Sequence, residues 1–356
     1  ISILFCFFLI IDSVSQTNNK SVFVSYTKTP ITLDANLNEA EWQKAKGAKD
    51  FWQYFPSDTL QSKQQTLIKF LFDDDNLYVG IKVNASGKNY ITPSLRRDFR
   101  AGGSDNITLL FDTFNDGTNA FIFGTNPYGV KREILLSGGG SELRGFTGAW
   151  DTKWQCKTAI KEDHYIVEMI IPLSAFKYRK GETKWRFNSY HFDTQDNERN
   201  TWVQIPQNQF IFNLAYMGDM IFEKPLGESK SPISIIPYVN GITAKDFENK
   251  NTITDIKFGG DAKLTIGNSL NLDVTFNPDF SQIEVDQQVT NLTRFEISLP
   301  ERRQFFIENS DLFDDFGNNR DANPFFSRRI GIAKDINDIS IQNDIIAGVR
   351  LSGKVN

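Results

Sequence analysis

Short apolar runs separated by polar turns recur from Val22 to Phe222. Residues 66–72 and 77–83 flank the acidic turn Asp73, Asp74, Asp75, Asn76 and read as a hairpin. Runs at 107–111, 120–123, 133–136, 154–160, 165–171 and 185–190 continue the series. Trp154, Cys156, Thr158 and Ile160 alternate with Gln155 and Lys157, so one face of that run is buried and the other wet. Such spacing predicts an all-β chain whose front part is an antiparallel β-sandwich.

Two other stretches frame this pattern. Residues 31–42 read Ile-Thr-Leu-Asp-Ala-Asn-Leu-Asn-Glu-Ala-Glu-Trp. A strand-like start runs into a helical turn that Asn38 caps and Glu41 closes, with Leu37 and Trp42 as a hydrophobic staple. Residues 224–232 form a polar boundary containing Pro225 and Pro232. Beyond it, 233–238 opens a second strand pattern. Leu270, Leu272, Val274 and Phe276 then alternate with Asn271, Asp273, Thr275 and Asn277 after a Gly267-Asn268 turn.

The first eleven residues are almost wholly apolar, too short to span a bilayer, and followed by Ser13, Val14 and Ser15. They predict a secretory signal peptide over 1–16, cut near Ser15 or Gln16. The absence of an initial Met and a basic leader implies truncation at the front. The strand-like run at 351–356 implies it at the back. The expected organisation is therefore a signal peptide at 1–16, a sandwich at 17–226 and a β-rich region at 227–356.

Composition narrows the function. The 31 phenylalanines favour strands. A formal charge of -5, with no basic stripe, excludes a nucleic-acid partner. Cys6 has no small residues ahead of it to mark a lipid anchor. Cys156 then stands alone as an inert core thiol, unable to form an internal bridge. His164 and His191, the two histidines, form no metal pair, and no Gly-x-Ser-x-Gly elbow exists. Glu168, inside an apolar strand, reads as structural. The pairs Arg302-Arg303 and Arg328-Arg329 read as internal ion-pairing or barrel-lumen residues. No catalytic residue is assigned.

The 31–42 motif, with Asp75-Asn76-Leu77-Tyr78-Val79-Gly80 downstream, resembles the entry to a family 9 carbohydrate-binding module. The second half resembles the start of a DUF5916 region. Asp261-Ala262-Lys263, the runs 277–286, 291–296 and 301–308, and Ser327-Arg328-Arg329-Ile330-Gly331 carry that likeness. In Bacteroidetes-type exported proteins this region follows a family 9-like module, and the family implies an outer-membrane β-barrel. Closure takes at least about eight strands, more than this chain supplies.

Sugar recognition needs flat aromatic faces plus carboxylates, amides or arginines. Trp52, Tyr54, Arg97, Asp98, Trp150, Asp151, Trp202, Phe210 and Phe212 are the candidates, whereas Trp42, Trp154 and Trp185 read as core. Where the family places clamp tryptophans, this chain has Gly102-Gly103 ahead of the 105–112 strand and phenylalanine near 210–212. Asp105, Asp112, Asn115 and Asp116 supply hard oxygens that read first as a solvated turn; Asp105, Asp112 and Asp116 are the metal candidates, and the resemblance implies structural Ca²⁺ as the ion they would take. The expected function is non-catalytic carbohydrate binding by an exported, outer-membrane-associated protein, with the module periplasmic or at the cell surface. Two rivals stand beside it. One is a glycan-degrading hydrolase acting on O-glycosyl bonds, or its accessory subunit in carbohydrate catabolism. The other is an outer-membrane transport or assembly barrel with a periplasmic docking module.

Overall fold

The computed structural model describes residues 20–148, 150–228, 233–246, 251–266, 270–278, 304–307, 327–334, 336 and 340–353. The expected signal segment and most of the 277–308 motif run lie outside these residues.

Strand β1 (Ser21–Tyr26) leads to a one-turn helix α1 (Ala40–Lys44), then β2 (Gly47–Ala48), β3 (Trp52–Phe55), β4 (Thr66–Phe72) and β5 (Asn76–Asn84). A meander follows: β6 (Asn106–Asp112), β7 (Ala120–Thr125), β8 (Lys131–Leu136) and β9 (Phe146–Thr147). Then come β10 (Gln155–Ile160), β11 (His164–Pro172), β12 (Lys184–Asp193), β13 (Glu198–Thr201) and β14 (Gly218–Phe222). Hydrogen bonding orders them β10-β11-β5-β4-β1-β14-β12-β6-β7-β8-β9. β1 joins the two leaves, pairing parallel with both β4 and β14.

The leaves fold face to face. Ile68, Phe70, Val79, Ile81, Val167 and Met169 from one meet Ile107, Leu109, Phe111, Phe123, Trp185 and Phe187 from the other. Phe70 crosses the gap, 5.0 Å from Phe187 and 6.3 Å from Phe111 between ring centroids. Each such ring contributes about 1.5–3 kcal/mol by leaving water, which is what the phenylalanine-rich alternation supplies. Cys156 packs against this core, and burial pushes its thiol up to about 12, as expected of an inert side chain.

The outer face of the first leaf is sealed by the chain's own 31–44 segment. Trp42, Ile31, Ala45, Leu71 and Tyr78 form a compact cluster there, with Leu37 packed against it as the staple predicted. The cap differs from expectation. α1 begins after Glu39, which makes no side-chain capping bond, so Asn38 is not the cap. Glu168 of β11 supplies the anchoring instead. Its Oε2 accepts the Asp34 and Ala35 amides at 2.9 Å each, and Trp42 Nε1 donates to its Oε1 at 3.3 Å. Gly80 lies opposite Glu168 on β5, and a Cβ there would come within 2.7 Å of Leu37 Cδ2. Burial raises the Glu168 pKa, opposed by those hydrogen bonds, and the carboxylate is structural as expected.

The remaining strands are β15 (Ser234–Asp246), β16 (Asn251–Ile266), β17 (Leu270–Phe276), β18 (Ile332–Lys334), β19 (Ser340–Gln342) and β20 (Ala347–Gly353). β15, β16, β17 and β20 form a four-stranded antiparallel sheet, and β18 pairs with β19. Register puts Ile235, Val239, Phe258, Leu264, Leu272, Val274, Val349 and Leu351 on one face. Phe258 is 65% exposed and Val349 69%. The opposite face is polar. Arg350 pairs with Asp273 at 2.6 Å, and Thr275 Oγ1 donates to Asp261 at 2.6 Å. The described chain is all-β apart from isolated helical turns. Its described strands form open sheets, with no closed barrel among them.

Candidate functional site

The outer face of the second leaf is built differently from the first. One lateral row runs across four strands, Arg132 (β8), Gly124 (β7), Thr108 (β6) and Tyr190 (β12). The centre of the row is low because Gly124 has no side chain, and a Cβ there would lie 2.8 Å from Thr108 Oγ1. Arg132 lies across this floor and its Nη1 donates to Tyr190 Oη at 3.1 Å. The residue is only 7% exposed, and its guanidinium pairs with no carboxylate among the described residues.

Aromatic rings continue from Tyr190. Phe192, two residues along the same face, lies 5.3 Å from it. Arg199 of β13 pairs in register with Phe192 and places its guanidinium 5.3 Å from that ring and 5.6 Å from Phe55. Tyr54 Oη donates to the Gln209 carbonyl at 2.7 Å, tying β3 to the 203–217 loop. Burial raises the Tyr54 pKa, partly offset by Arg199. Phe210, 39% exposed, stacks on Phe212 at 5.1 Å and 13°. Phe212 and Ala101 belong to the apolar cluster under this face. The two segments expected to hold clamp positions, 102–103 and 210–212, border this face toward opposite ends of β6: Asn106 Nδ2 donates to the Ala101 carbonyl at 3.0 Å, whereas Phe212 packs 4.5 Å from Phe146 beside Leu136. Gly102 and Gly103 leave open space where a side chain would stand.

Four predicted residues assemble at the outer edge of β8, against groups that face the inner side of the leaf. Arg97 donates to both Glu133 and Asp151, and Trp154 Nε1 donates to Glu133 Oε2 at 3.1 Å. Asp98 runs along the edge of β8, its amide donating to the Lys131 carbonyl at 3.0 Å and its Oδ1 accepting the Glu133 amide at 3.3 Å. Burial raises the Asp98 pKa against the pull of Arg97. Trp150 is half-buried, packed 5.5 Å from Phe121 and 5.7 Å from Phe123. Arg97, Asp98, Trp150 and Asp151 are thus neighbours, but their charges answer one another and Glu133.

Trp52 is half-buried at the start of β3, on the same side of the strand as Tyr54. Trp202 does not fit the role expected of it. At 2% exposed it is core, 5.4 Å from Phe187, and a Cβ on Gly218 would come within 2.7 Å of its ring. No ring face is left for a ligand.

The calcium trio is also corrected. Asp105 and Asp112 stand at opposite ends of β6, roughly 23 Å apart at strand rise. Asp105 is consumed by the Ile91 amide at 2.5 Å and the Thr194 amide at 2.9 Å. Asp112 accepts the Gly117 amide at 2.8 Å, and Asp116 accepts the Thr118 amide at 2.9 Å. These oxygens close their own turns. No group of three or more His, Cys, Asp or Glu among the described residues is placed to hold a metal.

Arg132, Tyr190, Phe192 and Arg199 went unread in the sequence. One signal for them exists: alternation on β8 puts Arg132 in line with Ile134 and Leu136, a charge in an apolar row.

A family model described as carbohydrate family 9 binding domain-like matches residues 33–224. A second, DUF5916, a domain of unknown function, matches 231–347. Similar solved structures include a family 9 carbohydrate-binding module from Caldicellulosiruptor kristjanssonii in complex with cellotriose. It is 18% identical, with a TM-score of 0.39 over 60% of this chain and 98% of that one. The same organism's module in complex with glucose scores 0.39 at 18% identity, over 59% and 98%. A putative carbohydrate-binding protein from Bacteroides uniformis ATCC 8492 scores 0.42 at 14% identity, over 57% and 99%. No curated protein matches the chain.

Proposed function

Because the chain belongs to the carbohydrate family 9 binding domain-like family through residues 33–224, we propose that its sandwich binds a saccharide without catalysing a reaction on it. The ligand lies on the outer face of the second leaf. The observation that carries this reading is that Tyr54, Tyr190 and Phe192 share one apolar cluster with Arg132 and Arg199 set against it, beside the turn held by Tyr54 where Phe210 is exposed. Sugars present C–H faces that stack on rings and hydroxyls that take hydrogen bonds from such donors. The Arg97, Asp98, Trp150 and Asp151 cluster borders this face only along the outer edge of β8, and Trp52 lies at the far edge beside Tyr54.

The proposal extends to location. The chain is exported and sits at the outer membrane, held there by the region C-terminal to the sandwich. Support comes from the β15–β17 and β20 sheet, apolar on its exposed face and ion-paired on the other. That is the polarity of strands whose exterior meets hydrocarbon. β15 and β16, at 13 and 16 residues, exceed the 9–11 or so that a tilted strand needs to cross.

A panel of oligosaccharides titrated against the full chain in detergent tests the first part. Submillimolar binding of at least one, weakened about tenfold or more by Phe210→Ala, is expected. Binding of none at millimolar concentration rejects it. Fractionation of expressing cells tests the second, with recovery in the soluble fraction as the contrary result.

A further inference from the structure

Arg132 and Arg199 carry information about which saccharide the proposed site takes, a selectivity that holds only if this face is the saccharide site. Arg132 is nine-tenths buried yet spends its guanidinium on one neutral phenol. Asp98 is near enough for the two charges to influence each other. Its carboxylate, however, accepts the Glu133 amide and lies 4.0 Å from Arg97. Arg199 sits between the Phe55 and Phe192 rings with no carboxylate partner among the described residues. Of the nearby acids, Glu133 and Asp151 are bonded to Arg97, so the charge left on this face is carried mainly by the two guanidiniums.

A face for neutral sugars needs acceptors as well as donors, because every hydroxyl is both. A guanidinium left unpaired in a low-dielectric site is costly, and a planar carboxylate is the group its paired N–H donors match. We infer that this site selects saccharides bearing a carboxylate, hexuronate-containing oligomers, over their neutral counterparts. The sugar carboxylate pairs with Arg132 over the Gly124 floor. Arg199 meets the adjoining residue, and Phe192 and Phe210 flank the rings.

The test is calorimetric titration of the full chain with oligomers of galacturonate, glucuronate and mannuronate. Each is run beside its carboxyl-reduced, neutral counterpart at low and high salt. At least one acidic oligomer should bind about tenfold or more tighter than its reduced form, with the preference shrinking in high salt. Arg132→Gln and Arg199→Gln should each reduce that preference, and the exposed Arg199 variant keeps the test valid if Arg132→Gln misfolds. Equal or tighter binding of the neutral forms overturns the carboxylate assignment and leaves saccharide binding standing. So does a preference that survives in a folded Arg199→Gln variant. Failure of every oligomer, acidic and neutral, together with the neutral panel above, rejects the saccharide site itself.

Discussion

The two leaves of the sandwich carry the same device on their outer faces and use it in opposite ways. On the first, Glu168 stands beside Gly80, and the gap left by the glycine is filled by Trp42 and Leu37. Both carboxylate oxygens are occupied by donors from the same chain. On the second, Arg132 stands beside Gly124, and the chain supplies one phenol to a group with five donors. A charge fully answered from within is structural. A charge given one neutral partner is the place where, on the proposed reading, an outside molecule completes the set.

Substitutions can break or sharpen this contrast. The largest effect belongs beneath both faces: Trp202→Ala should destabilise the sandwich by about 3–5 kcal/mol in chemical denaturation. Phe210→Ala, out on the open face, should barely move that midpoint. Next comes the inward side of β12, behind the open face. Burial lowers the His191 pKa to about 4, so its protonation in the unfolded chain costs stability as pH falls from about 6.5 to 4. Burial raises the Asp193 pKa to about 6, so over nearly the same window it adds stability as pH falls. The two oppose each other. Asp193→Asn should therefore expose a loss of roughly 2–3 kcal/mol between pH 6.5 and pH 4 that the parent lacks, read as melting midpoints against pH.

The sealed face responds next. Glu168→Gln sets an amide N–H against Trp42 Nε1 and should cost about 1–3 kcal/mol of stability, with little change in ligand affinity. Smallest is the open face: Arg132→Met should change stability by under about 1 kcal/mol, or raise it, while abolishing binding. An Arg132→Met variant as unstable as Glu168→Gln would show the two faces to be alike.

Much of the fold was legible because it is local. The β4–β5 hairpin combines period-two alternation with a four-residue acidic turn, and β10 declares its buried side by the spacing of Cys156, Thr158 and Ile160. The Leu37–Trp42 staple was readable for the same reason. The Asn38 cap was misread because Glu168, more than 100 residues away, holds the turn that a local cap was expected to hold. Trp202 was misread because its ring turns back under Phe187, a contact with the preceding strand that its own neighbours in sequence do not reveal. Asp105 and Asp112 looked like one acidic cluster, but an extended strand between them carries each to its own turn. The Arg132 row joins β6, β7, β8 and β12, spanning more than 80 residues from Thr108 to Tyr190. No short window contains it. That Arg97-Asp98 and Trp150-Asp151 are neighbours follows from two adjacent pairs whose mixed character stands out, though their role as a binding site does not.

β1 and β14, the first and last strands of the sandwich, lie side by side and run the same way. Glu223 accepts the Tyr26 amide at 2.8 Å, and the Lys224 ammonium rests 3.7 Å from the Tyr26 ring, fastening the exit of one strand to that of the other. Tension drawn through the segment after Phe222 would act along β14, between β1 and β12. Its rungs would then resist in shear, all loaded together, instead of opening one by one like a zip. The sandwich's resistance to a pull from its C-terminal side is built into that seam.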